Sequence, residues 1–242
     1  MPHGTPDWGL VGPKATTYGL DDIGEAAVRL GSPHLWDRMG DVVHITDFSE
    51  GLGIWGVTYW ALPAYGTLYT GIARSGAYCV RLVTEGVAIH GTGLSAHIPM
   101  PRVGGIGLEY TFSTRSTQRF WWWNMLWRIG TDQWEATVQW DLVNDRLEYQ
   151  GADGLWHLLA DDVAWNDLDL LCNTGKMVID SVNWQYSRFL LNDQTYLMTG
   201  IGLRYVGMGI ANYFQVRLEL FGPAAINAVG YVDSVIVTQN EP

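Results

Sequence analysis

The chain has 242 residues, of which 48% are apolar, 13% aromatic and only 16% charged, and its net charge is −11. This composition excludes an intrinsically disordered chain, and the length suffices for one domain that buries a large core without disulfide bonds. The acidic charge, with lysine only at Lys14 and Lys176, excludes duplex nucleic acid as a partner.

No apolar run is long enough for a membrane span, and the N-terminus MPHGTPDWGLVG lacks the basic head and apolar core of a signal peptide. We therefore expect neither a span nor a leader. Cys79 and Cys172 lie far apart in strand-like runs. This spacing fits neither a metal site nor a redox pair, and it predicts buried free thiols, with a disulfide as the alternative.

Residues 1–42 differ from the rest of the chain and predict an extended N-terminal arm with one short helix near 21–30. Asp21 or Asp22 can cap the helix, Gly31 can end it, and Pro33 forbids its continuation. So short a helix is unstable alone. We expect the arm to pack either on its own domain or on a neighbouring subunit.

Strand patterns occupy residues 43–242, which we predict to form one domain. Apolar and polar residues alternate cleanly in DQWEATVQWDL and YFQVRLELFG. In RFWWWNMLWRI, Trp121 and Trp123 point to one side and Trp122 to the other, so both faces are apolar. This predicts a central strand that is covered on both sides, or one that exposes an aromatic platform.

A hairpin is predicted for GKMVIDSVNWQYSRFLLND, from Gly175 to Asp193. Asp180 ends the first strand, aromatic residues mark the bend, and the return strand ends at Asn192. The polar residues fit turn chemistry better than a ligand site. With about a dozen strands at sandwich-like spacing and no βαβ alternation, the chain predicts an all-β, antiparallel fold.

Several motifs resemble jelly-roll carbohydrate-binding modules and concanavalin-A-like or laminin-G-like sandwiches. They are ITDFSEGLGIW with a following Ser-Gly-Ala-Tyr strand, NDRLEYQGADGLW, MVIDSVNWQYSRFLLND and the final GYVDSVIVTQ. The resemblance covers about residues 43–238 and implies an antiparallel β-sandwich. It also implies a structural Ca²⁺ held by Asp47, Glu50 and Asp233, although the two aspartates could equally stabilise turns.

The layout of the whole chain resembles phage-like proteins that serve as virion or surface-assembly components. The features are a Gly-Glu-x-Ala-x-Arg-Leu-Gly-Ser helix, an Asp-Phe-x-x-Gly-Leu opening and a Thr-Gln-Asn-Glu-Pro tail. This resemblance implies a virion or extracellular surface as the location and self-association or an assembly partner.

Catalytic motifs are not evident. The Glu-x-Asp-x-x-Glu strand motif of glycosidases related to concanavalin-like folds is missing, and no nucleophile elbow or zinc spacing occurs around the scattered histidines. Four glutamates lie on separate predicted strands, where solvated side chains are expected: Glu109, Glu135, Glu148 and Glu219. We therefore predict that the chain is not an enzyme.

Exposed aromatic side chains are the remaining candidates, either for stacking on sugar rings or for packing in a subunit interface. They are Trp55, Tyr59, Trp60, Tyr65, Trp121, Trp122 and Trp123. The sequence favours a structural or assembly protein, such as a coat, capsid or tail-associated subunit on a lectin-like jelly roll. The alternatives are a carbohydrate-binding module and, behind it, a glycoside hydrolase.

Overall fold

The computed structural model describes residues 40–60, 64–73, 77–84, 91–99, 104–114, 118–164, 172–208, 212–223 and 226–242. The predicted arm and its helix near 21–30 lie outside these ranges, so the domain boundary near residue 42 remains a prediction. In the described ranges all sixteen named elements are strands. No helix long and apolar enough to cross a membrane occurs in these parts of the chain.

The strands form two antiparallel, eight-stranded sheets, which confirms the predicted β-sandwich. Sheet A has the order β13-β12-β11-β6-β16-β4-β3, with β1 also paired to β16. Its strands are β1 (Asp41–Thr46), β3 (Ala64–Tyr69), β4 (Cys79–Thr84), β6 (Gly105–Ser113), β11 (Cys172–Asp180), β12 (Gln185–Leu191), β13 (Gln194–Leu197) and β16 (Ala228–Glu241).

Sheet B has the order β10-β9-β8-β7-β15-β5-β2, and β14 also pairs with β8. Its strands are β2 (Gly56–Tyr59), β5 (Gly91–Ile98), β7 (Phe120–Ile129), β8 (Asp132–Asp141), β9 (Arg146–Gln150), β10 (Trp156–Ala160), β14 (Arg204–Met208) and β15 (Tyr213–Phe221). Sheet B therefore has β7 and β15 near its centre, between β8 and β5.

The core lies between the sheets and is built from alternate residues of their strands. Trp121 and Trp123 of β7 are fully buried in it, whereas Trp122 is only partly buried and points to the other side. The predicted alternation of this strand is correct. Facing glycines make room for the two large rings, because an added Cβ would lie 2.4 Å from Trp123 at Gly175 and 2.6 Å from Trp121 at Gly230.

The predicted hairpin is present as β11 and β12, which pair from Gly175↔Leu191 to Asp180↔Gln185. Asp180 organises the turn, since Oδ1 accepts hydrogen bonds from the amides of Val182 and Asn183, and Oδ2 accepts one from Asn183 Nδ2 at 2.7 Å. Burial opposes ionisation of Asp180, but these hydrogen bonds outweigh it and lower its pKa. The carboxylate is thus committed to the turn.

The two cysteines are not joined to each other, and Cys79 is buried as predicted, whereas Cys172 is only partly buried. Burial is the main cause that raises the pKa of Cys79 to about 11, so this thiol is protonated at neutral pH.

Candidate functional site

The outer face of sheet B, which points away from the core, collects polar and charged side chains from four neighbouring strands. Strand register places them in rows: Glu148, Gln139, Trp122 and Glu219 lie side by side across β9, β8, β7 and β15. Two further rows follow along the strands, and they contain Thr137, Asn124 and Arg217, then Glu135, Leu126 and Gln215.

Aromatic side chains cover one end of this face. The ring of Trp122 lies 4.3 Å from that of Phe221, 5.5 Å from Trp156 and 6.2 Å from Trp60, measured between centroids. Trp60 is 58% exposed and Trp156 36% exposed. We call these four residues the aromatic end. Its exposed rings can stack on the apolar face of a bound ring compound.

Glu219 lies beside the aromatic end and is only 3% exposed. Its Oε1 accepts a hydrogen bond from Trp60 Nε1 at 2.9 Å. Burial raises the pKa of Glu219, and the nearby Glu135 carboxylate raises it further, whereas Arg217 and the Trp60 hydrogen bond act in the opposite direction. The net result is a carboxyl group that holds its proton to higher pH than an ordinary glutamate.

Glu135 occupies the middle of the face on β8. Its Oε1 accepts a hydrogen bond from Asn124 Nδ2 at 2.7 Å, and the same amide nitrogen donates to Thr137 Oγ1 at 2.8 Å. Arg204 Nη1 lies 3.4 Å from Glu135 Oε2. A guanidinium and an amide donor therefore both face this carboxyl group and hold it in place.

The third carboxylate of the face, Glu148, belongs to a chain of hydrogen bonds. Trp122 Nε1 donates to Gln139 Oε1 at 2.8 Å, and Gln139 Nε2 donates to Glu148 Oε2. The chain holds Trp122 in place at the aromatic end. Glu148 is therefore linked to Trp122 of the aromatic end through Gln139.

Arginine and histidine mark the opposite end of the face. The guanidinium of Arg128 lies 4.7 Å from the ring centroid of Tyr213, and His97 packs edge-to-face on Tyr213 at 5.2 Å. A hollow of about 590 Å³ opens here, and its lining residues are His97, Ile98, Pro99, Ile129, Asn212 and Tyr213. The face thus runs from an aromatic end through a carboxyl-rich middle to a cationic end.

The aromatic residues predicted from the sequence separate into two groups. Trp55, Trp121 and Trp123 are at most 4% exposed and pack in the core, so they present no binding surface. Tyr59, Trp60 and Tyr65 are exposed, and Trp122 is partly exposed. Of these, only Trp60 and Trp122 lie together at the aromatic end.

The predicted calcium ligands remain untested. Asp47 accepts hydrogen bonds from the backbone and hydroxyl of Ser49, Glu50 is exposed, and Asp233 is buried in β16. Within the described residues, no group of three His, Cys, Asp or Glu side chains is placed to hold a metal ion. A structural Ca²⁺ stays a prediction.

The carboxyl cluster was not predicted. Glu135, Glu148 and Glu219 were expected to be isolated and solvated, but they share one sheet face, and Glu219 and Glu109 are buried. The sequence did contain a signal, since Glu135-x-Thr137-x-Gln139 and Gln215-x-Arg217-x-Glu219 each place three polar residues on one side of a strand. The sequence does not show that β8 and β15, which carry these two patterns, are separated only by β7 in the sheet.

No family model matches the chain, and no curated protein sequence matches it. Similar folds do occur among solved structures. The conserved carbohydrate esterase from the Shiga toxin-encoding bacteriophage phi24B is 11% identical, with a TM-score of 0.55, and the match covers 84% of this chain and all of that one. The cellulose-induced protein Cip1 is 12% identical, with a TM-score of 0.54, over 81% of this chain and 96% of that one.

An endo-β-1,4-glucuronan lyase from the fungus Trichoderma reesei is 10% identical, with a TM-score of 0.51, over 82% of this chain and 96% of that one. Identities this low show the fold alone, which is the predicted jelly-roll or concanavalin-A-like sandwich. The prediction that the chain is not an enzyme is contradicted, because the similar structures include an esterase and a lyase. The prediction rested on the expectation that the glutamate side chains are isolated on separate strands, and this expectation was also wrong.

Proposed function

We propose that the chain is a carbohydrate-active enzyme that binds a saccharide along the outer face of sheet B and cleaves a glycosidic bond there. The observation that carries the proposal is the buried Glu219 carboxyl, which shares this face with the Glu135 carboxylate and is hydrogen-bonded to the exposed Trp60. A carboxyl pair beside an aromatic platform suits glycosidic cleavage. The fold likeness to carbohydrate-active proteins supports the same substrate class.

The two carboxyl groups differ in their surroundings, which supports a division of roles. Burial raises the pKa of Glu219, so this carboxyl group holds its proton to higher pH than an ordinary glutamate, and we assign it the role of the general acid that protonates the glycosidic oxygen. Glu135 receives hydrogen bonds from Asn124 and Arg204, so it acts as the base and takes a proton from water. That water attacks the anomeric carbon, and one water is consumed for each bond that breaks.

The register of the strands favours the wider, inverting arrangement of the pair. Glu219 lies opposite Trp122 on β7 and Glu135 lies opposite Leu126 on the same strand. Two strand spacings and four residues separate their Cα atoms by about 16 Å, and the Glu219 carboxyl group is hydrogen-bonded to Trp60 on the side away from β8, so the pair is too wide for the short separation of retaining enzymes. We therefore expect the product to have inverted anomeric configuration.

The test is the release of new reducing ends from a panel of polysaccharides, with product configuration read by NMR. Glu219→Gln and Glu135→Gln should each lower the rate about 100-fold or more, whereas Asp161→Asn, an exposed carboxylate away from the face, should not. Saccharide binding without any cleavage would reject the enzymatic part and leave a binding module. Neither binding nor cleavage would reject the whole proposal.

We also propose that the protein is located on a virion or an extracellular surface. There it would assemble with further copies of this chain or with a partner protein. Size-exclusion chromatography with light scattering tests self-association directly. A concentration-independent monomer mass would reject it.

A further inference from the structure

Two arginines on the outer face of sheet B are oriented by neutral amides instead of carboxylates. Arg128 donates to Gln133 Oε1 from Nε at 2.9 Å and also from Nη2. Arg217 donates to Gln215 Oε1 from Nε at 3.1 Å and from Nη2 at 2.6 Å. An amide oxygen orients a guanidinium group but does not cancel its charge.

Three other arginines of the described residues have carboxylate partners, whereas Arg81 and Arg119 lie over the rings of Tyr69 and Phe120. Arg146 pairs with Asp161 at 2.8 Å, Arg188 with Glu241 at 2.8 Å and Arg204 with Glu135 at 3.4 Å. Among the described residues, no ion pair involves Arg128 or Arg217. In a chain of net charge −11, two arginines without a carboxylate at ion-pair distance make a local site for negative charge, although Arg217 lies near enough to Glu219 to lower the pKa of that carboxyl group.

The surroundings of Arg128 suit a sugar ring that carries an acid group. Its guanidinium lies over Tyr213, which forms one wall of the 590 Å³ hollow together with His97. Such a wall can pack against the apolar face of a sugar ring while the arginine binds an anionic substituent. Of the acidic residues of the face, Glu219 lies beyond Arg217 on the side of the aromatic end. Glu135 is paired with Arg204.

Resting on the function proposed above, we propose that the saccharide is acidic and carries repeated carboxylate or sulfate groups. One such group binds Arg128 at the hollow, and another binds Arg217 in the middle of the face. Arg217 lies opposite Asn124, four residues from Arg128 on β7, so the two arginines are about 13 Å apart along the strands. They therefore contact different sugar units of one chain.

The experiment measures binding, by calorimetry, of matched oligosaccharides that differ only in charge. Each neutral glucan, mannan or galactan oligomer is compared with its C6-oxidised and its 6-O-sulfated counterpart, using the Glu219→Gln chain to prevent cleavage. At least one charged form should bind about tenfold more tightly than its neutral counterpart, and added salt should reduce the difference. Comparison of the oxidised and sulfated forms identifies the anion.

Arg128→Gln should lower the affinity for the charged form about tenfold and the affinity for the neutral form much less, whereas Arg146→Gln, at the other end of sheet B, should change neither affinity. Arg128→Lys, which keeps the charge but not the planar fork, should retain part of the preference. Unchanged unfolding midpoints establish that the variants are folded. Equal binding of charged and neutral forms would overturn the inference, whereas failure of every saccharide to bind would overturn the proposed function.

Discussion

The indole nitrogen of Trp60 donates a hydrogen bond to Glu219 at 2.9 Å, although the two residues are 159 positions apart and lie two strands from each other in sheet B. The intervening strand β5 makes this contact possible, because it has Gly93 opposite Glu219. A Cβ at Gly93 would lie 2.8 Å from Glu219 Cγ. The exposed indole can thus reach across β5, and its hydrogen bond links Trp60 to the ionisation of Glu219.

Replacing Trp60 with Phe should raise the pKa of Glu219 further. The substitution keeps an aromatic ring but removes the N–H group that stabilises the ionised carboxylate. The basic limb of the pH–activity profile should then move to higher pH. Trp156→Phe is the control, because Trp156 contacts Trp122 and should affect affinity alone. An unshifted basic limb in Trp60→Phe would contradict the role given to the hydrogen bond.

Glu219 should also make stability depend on pH. Its folded-state pKa is raised above the ordinary value of 4.5, so between these two values the folded chain binds more protons than the unfolded chain. Stability relative to Glu219→Gln should therefore be greatest at low pH and fall as pH rises from about 4.5 through the folded-state pKa. Urea unfolding of both chains at several pH values measures this difference. A difference that does not vary with pH would show that Glu219 titrates as an ordinary exposed glutamate.

Local features of the fold could be predicted from the sequence, since they depend on neighbours along the chain. The alternation in β7 places Trp121 and Trp123 opposite to Trp122, and the spacing of Asp180 and Asn183 is typical of a turn. Both are properties of a few consecutive residues.

The candidate site could not be predicted in the same way. Glu135 and Glu219 are brought onto one face because β8 and β15 both pair with β7, an arrangement set by packing of the entire sandwich. Likewise, nothing near Glu219 in the sequence shows that Trp60 covers it. Such contacts depend on strand order, which one sequence does not specify.

Tyr186 provides a test of how the two sheets are joined. It belongs to β12 of sheet A, but its hydroxyl accepts a hydrogen bond from the Thr137 amide at 2.8 Å and lies 2.9 Å from the Gln150 carbonyl oxygen, to which it can donate. Tyr186→Phe should cost about 1–3 kcal/mol of unfolding free energy, because it leaves a buried amide without its partner. Tyr205→Phe, which removes an exposed hydroxyl bonded to Asp132, should cost much less. Equal losses in urea unfolding would show that the buried hydroxyl has no special role.

Gly175 tests the packing between the sheets under Trp123. Its Cβ-equivalent position lies 2.4 Å from Trp123 Cζ2, and this ring is fully buried, so Gly175→Ala forces the core to shift. We expect a loss of about 1–3 kcal/mol in unfolding free energy. Gly56→Ala is the control, because the nearest atom to its added Cβ would be 3.9 Å away and little destabilisation should follow.

A double-mutant cycle separates this steric contact from a general effect of alanine in β11. Trp123→Phe shortens the ring and leaves space above Gly175, so Gly175→Ala should cost less in that background than in the native chain. The difference between the two costs is the interaction energy of the methyl group with the indole ring. If the two substitutions were additive, the close approach of Trp123 could not be the reason why glycine is required at position 175.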